Sequence, residues 1–78
     1  MRLDRASSEQ IASLPAVAYN PDKISEKVED GQGNLYVAVM FKHPPRAEIF
    51  LVVDDGAPPD AAEVDHLITR MVIEEPDA

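Results

Sequence analysis

The chain of 78 residues has no cysteine and no tryptophan, and only two tyrosines, two phenylalanines and three glycines. Without cysteine there is no disulfide to staple a small core and no thiolate to hold zinc or an iron–sulfur cluster. The only imidazoles, His43 and His66, stand 23 positions apart, so they form no local ligand pair. The longest apolar run, Leu35 to Phe41, is seven residues, against the roughly 20 that a membrane-crossing helix needs. The first ten residues, Met1 to Gln10, are charged and polar and lack the apolar stretch of a secretory leader. These absences predict a soluble, cytoplasmic protein without membrane contact. No internal repeat or low-complexity tract is present.

Basic residues are also scarce. Seven lysines and arginines face 15 aspartates and glutamates, for a net charge of −8 at pH 7. Arg2, Arg5, Lys23, Lys27, Lys42 and Arg46 are scattered, with no basic run and no interleaved aromatics. Such a chain repels a phosphate backbone, which argues against direct nucleic-acid binding. The acids are unevenly placed. Residues 54–78 carry eight (Asp54, Asp55, Asp60, Glu63, Asp65, Glu74, Glu75 and Asp77) and one base, Arg70, whereas residues 1–53 carry seven acids and six bases. A near-neutral body with an acidic end predicts another protein with a basic surface as the partner.

What is present suffices for one domain over residues 1–78, with 1–6 and 74–78 expected to fray. The apolar content of 45% is that of a globular chain. A core this thin is marginal alone, which favours a second subunit or a tight partner.

Ser7 to Leu14 predicts a short helix, with Ser7 and Gln10 spaced as a capping box and Pro15 as its stop. Residues 16–34 admit two readings. Asn20-Pro21-Asp22 could open a helix ended by Gly31, but it would hold like-charge i, i+4 pairs and few apolar residues. Asp30-Gly31-Gln32-Gly33-Asn34 is rich in hairpin-turn residues and favours a strand at about 23–29. Leu35 to Lys42 alternates as a strand, and so does Ala47 to Val53. The prolines of His43-Pro44-Pro45-Arg46 interrupt the ladder between them. A final helix runs from about Asp60 to Val72, with Val64, Leu67, Ile68 and Met71 as its core stripe. The fold class is therefore α+β, order α-β-β-β-α, a three-stranded antiparallel sheet with the helices on one face. The alternative is α-α-β-β-α, a winged-helix-like arrangement.

No constellation reaches the standard of a catalytic or cofactor motif. Asp54 and Asp55 at a strand end, with Asp60 and Glu63 beyond, could be imagined around a magnesium ion. Adjacent strand residues point apart, however, and Asp60 and Glu63 are accounted for by the start of the helix. Ser7, Ser8, Ser13 and Ser25 lack the glycine context of a nucleophile elbow. Gly31-Gln32-Gly33 lacks the third glycine and the Lys-Ser/Thr pair of a phosphate loop. The reading is non-catalytic, without cofactor or metal.

Tyr36, Ala38, Met40, Phe50 and Val52 stand out as an apolar set on the sheet face away from the helices. A partner contact is accordingly expected from Tyr36, Met40 and Phe50 together with Asp54, Asp55, Asp65, Glu74 and Glu75. In size, acidity and lack of cysteine the chain is similar to phage-encoded inhibitors of bacterial defence complexes, anti-CRISPR proteins among them. That similarity implies an inhibitor that covers a basic nucleic-acid-binding surface. The alternative is a dimeric regulatory or accessory subunit, antitoxin-like, that associates through its sheet.

Overall fold

The computed structural model describes residues 1–56 and 60–75. In chain order they form β1 (Arg2–Arg5), α1 (Ser8–Ala12), β2 (Ser25–Glu29), β3 (Leu35–Lys42), β4 (Pro45–Val53) and α2 (Ala61–Ile73). The four strands make one antiparallel sheet in the order β1-β4-β3-β2. The class is α+β, as the sequence implies, but the strand count is corrected from three to four. Arg2–Arg5, expected to fray, pairs along β4 from Arg2 opposite Val53 to Arg5 opposite Phe50. The ladder on β4 supplies the order that the short charged segment cannot supply for itself.

Residues 21–30 contain no helix, so the winged-helix-like order does not apply. β2 pairs with β3 from Ser25 opposite Val39 to Glu29 opposite Leu35. The turn between them is built by Asp30. Its carboxylate accepts from the Gln32 and Asn34 amides at 2.8 and 2.9 Å and from the Asn34 side-chain nitrogen at 2.9 Å. Gly33 takes a φ of +89° there, a conformation that penalises any residue with a Cβ.

The β3–β4 connection is shorter than the four-residue loop suggested by the prolines. Lys42 pairs with Pro45, which leaves only His43 and Pro44 in the loop. Pro45 is the first residue of β4, where a missing amide is tolerated. The same register sets Val37 opposite Phe50 and Tyr36 opposite Leu51.

Each face of the sheet has its own apolar cover. On one, Val64 and Ile68 of α2 pack with Val37, Val39, Phe41, Phe50 and Val52. On the other, Tyr36, Val28 and Ala6 form a second cluster, with Leu14, Val17, Ile49 and Leu51 against it. Leu14 and Val17 follow α1, so the chain from Ala6 onward wraps the face that α2 leaves open. The expectation of both helices on one face is thus corrected. A hairpin apolar on both sides needs two covers, and the N-terminal third of the chain provides the second. α1 is held by the expected box: the Gln10 amide donates to Ser7 Oγ at 3.2 Å and the Ser7 amide to Gln10 Oε1 at 2.8 Å. Asp60 caps α2, accepting from the Ala62 amide at 2.9 Å.

Candidate functional site

The apolar half of the expected contact lies inside the protein. Tyr36 is 2% exposed, Met40 1% and Phe50 7%. Nor do the three share a face. Because the hairpin loop has an even number of residues, odd positions of β3 stand opposite even positions of β4. Phe50 therefore joins Val37 under α2, whereas Tyr36 and Met40 belong to the opposite side. Tyr36, Met40 and Phe50 are core residues and present no patch to a partner.

The five acids divide by their surroundings. Asp54 and Asp65 are exposed. Asp54 accepts a local turn bond from the Gly56 amide at 3.0 Å. Asp55 is exposed but pairs with the Met1 amino group, whose hydrogen bond holds its carboxyl below the ordinary aspartate range. Glu74 ends α2 and lies 3.8 Å from Arg70, a surface pair of small energetic worth.

Glu75 has a different role from the one the sequence suggests. Its side chain is only 3% exposed. Oε2 accepts from the Lys42 amide and Oε1 from the His43 amide, both at 3.2 Å, and Arg46 Nη1 donates to Oε1 at 2.8 Å. Burial pushes this carboxyl up, but Arg46 and the two amides more than offset that and leave it below the usual glutamate range. An acid past the C-terminal end of a helix opposes the helix dipole. Here the compensation is internal: Glu75 clamps the β3–β4 turn to the end of α2. Asp77 lies outside the described residues.

The clamp is one end of a charge ladder across the sheet. Arg46 also reaches Glu48 at 3.2 Å, and Glu48 in turn pairs with Arg5 of β1. The Arg5 and then the Arg46 guanidinium hold the Glu48 carboxyl low. Arg46 lies 4.6 Å from the Phe41 ring centroid and Arg5 5.2 Å from that of Phe50, so both cations also sit on aromatic faces. The only sequence signal for this ladder is the i, i+2 spacing of Arg46 and Glu48. Arg5 and Glu75 are brought in by tertiary structure alone.

With Arg2 on Asp4 at 3.1 Å, every arginine of the chain is paired with a carboxylate. The charges of β2 are not. Glu26, Lys27 and Glu29 are exposed and take part in no ion pair among the described residues. Glu63 and Asp65 on α2 are likewise exposed and unpaired among the described residues.

Between α2 and β2 runs an open groove of about 730 Å³, bordered by Asp22, Lys27, Asp65 and Thr69. Among the described residues no three His, Asp or Glu side chains gather to hold a metal ion, and no helix is long and apolar enough to cross a membrane. Comparison with protein-family models, with curated proteins and with solved structures found no match to this chain in any of the three.

Proposed function

We propose that the protein is a non-catalytic binding domain whose exposed acids take a basic protein surface. In the sharper form of this reading, the surface covered is one that otherwise binds nucleic acid, and the protein inhibits by imitating phosphate charge. The carrying observation is the contrast between the two signs of charge. All four arginines lie in ion pairs within the chain, whereas Asp54, Glu63 and Asp65 are exposed and in no ion pair among the described residues, with only the field of the Met1 amino group on Asp54 and Glu63 and Lys27 across the groove from Asp65. A surface so arranged attracts cations over long range and has few free cations to offer phosphate. The runner-up, an accessory subunit that dimerises through its sheet, is limited to the sheet edges, since both faces are covered.

The test is capture of the partner from the host, followed by kinetics with a D54N/E63Q/D65N variant. Asp55 and Glu75 stay intact because they have internal roles. The expected result is association slowed at least tenfold, with dissociation changed much less. Duplex nucleic acid should also compete with the wild-type protein for the partner. An unchanged association rate at low salt would overturn the reading, and absence of competition would remove its nucleic-acid form.

A further inference from the structure

We infer that the hollow between α1 and the β2–β3 turn is a binding site for the guanidinium of an arginine side chain. It rests on the reading above only for the source of that arginine, a basic partner protein. The hollow measures about 440 Å³, enough for a side chain or a small molecule. Glu9 and Ser13 border it from the α1 side, Asp30, Gln32 and Asn34 from the turn, and Tyr36 is the most buried of its lining residues. Among the described residues no lysine, arginine or histidine borders it. Two carboxylates therefore face this space without a cation of the chain beside them.

A pair of acids beside a turn is by itself no site. The observation that points to a ligand is Tyr36. Its ring belongs to the core with Val28 and Ala6, and the residue is 2% exposed. Its hydroxyl nevertheless makes no hydrogen bond among the described residues. No enclosed side-chain oxygen or nitrogen of those residues lacks a partner. The hydroxyl thus reaches solvent, and the space it reaches is the hollow that Tyr36 lines. A tyrosine buried this deeply normally has its hydroxyl paired. Here the lasting partner has to come from outside the chain.

The rest of the lining says what that partner offers. Glu9 is exposed and in no ion pair among the described residues. The Ser13 hydroxyl donates to the Gln10 carbonyl at 2.8 Å, which leaves its oxygen free to accept. The Asn34 side-chain nitrogen donates to Asp30 at 2.9 Å, which leaves the amide oxygen. Asp30 adds its charge while its oxygens hold the turn. Carboxylate, hydroxyl and amide acceptors thus surround one space. They suit a planar fork of five N–H donors better than an ammonium, which has three donors and is more strongly hydrated.

An NMR titration with N-acetyl-arginine amide tests this. The lysine amide serves as a cation of equal charge and the citrulline amide as a neutral isostere. The arginine amide should shift the backbone amides of residues 9–13 and 30–36, with a dissociation constant in the millimolar range, since a single exposed contact is weak. The lysine and citrulline amides should bind at least fivefold more weakly. Tyr36→Phe should weaken arginine amide binding about fivefold, and it should melt as wild type does because its hydroxyl has no bond within the fold to lose. Glu9→Gln should weaken binding similarly. The inference is overturned by an absence of shifts at these positions, by binding that both variants leave unchanged, or by lysine or citrulline amide binding as tightly as arginine amide. The titration needs no partner protein. Arginine amide binding where no basic protein is captured would leave the site standing and the reading of the partner failed, and a captured basic partner without arginine amide shifts would do the reverse.

Discussion

Glu75 shows how one side chain can serve the opposite of the purpose its neighbourhood in sequence suggests. Three donors converge on it, two of them backbone amides of the hairpin turn. Its carboxyl, like that of Glu48, is held below the ordinary value of 4.5. A carboxylate favoured in the folded state stabilises at pH above its unfolded value. That contribution declines as pH falls below about 4.5 and is gone once pH passes below the depressed folded value. Wild type should therefore lose melting temperature steeply from about pH 5 downward. Glu75→Gln should melt several degrees lower at pH 7, because Arg46 and the two amides lose their anion. Its decline in acid should be shallower, and the two curves should converge once the pH is low enough to protonate Glu75 in the folded state as well. Melting curves that stay parallel across this range would mean that the clamp has no role in stability.

At the scale of elements, the parity of the hairpin decides which apolar side chains meet. Phe50 lies under α2 with Val64 and Ile68, so Phe50→Lys should abolish the cooperative thermal transition. Phe50→Ala should cost about 3–5 kcal/mol, a large share of the roughly 4–12 kcal/mol expected of a domain this size. If Phe50→Lys melts like wild type and changes only self-association, Phe50 is a surface residue after all. β3, β4 and α2 were legible because their apolar residues recur at periods of two and 3.6 over eight or more residues. The Ser7–Gln10 box and the Asp30 turn were legible because their chemistry is local. β1 was not, since Arg-Leu-Asp-Arg has one apolar residue and no period to read. The placement of Tyr36, Met40 and Phe50 in a surface patch failed on register, which the number of loop residues sets. The Glu75 clamp joins positions 29 or more apart and could be seen only once α2 had been packed against the hairpin.

At the scale of the molecule, the net charge of −8 sets how a complex with a basic partner responds to salt. At about 0.01 M salt the Debye length is roughly 30 Å, so the field of the whole chain reaches an approaching partner, whereas at about 0.15 M it is roughly 8 Å and only charges close to the contact are felt. Raising salt from about 10 to 150 mM should therefore weaken a complex with a basic partner at least tenfold, mostly through slower association, because screening removes an attraction. Association and dissociation rates measured across this range check it. A partner complex that tightens would show that the acidic surface does not lead the encounter.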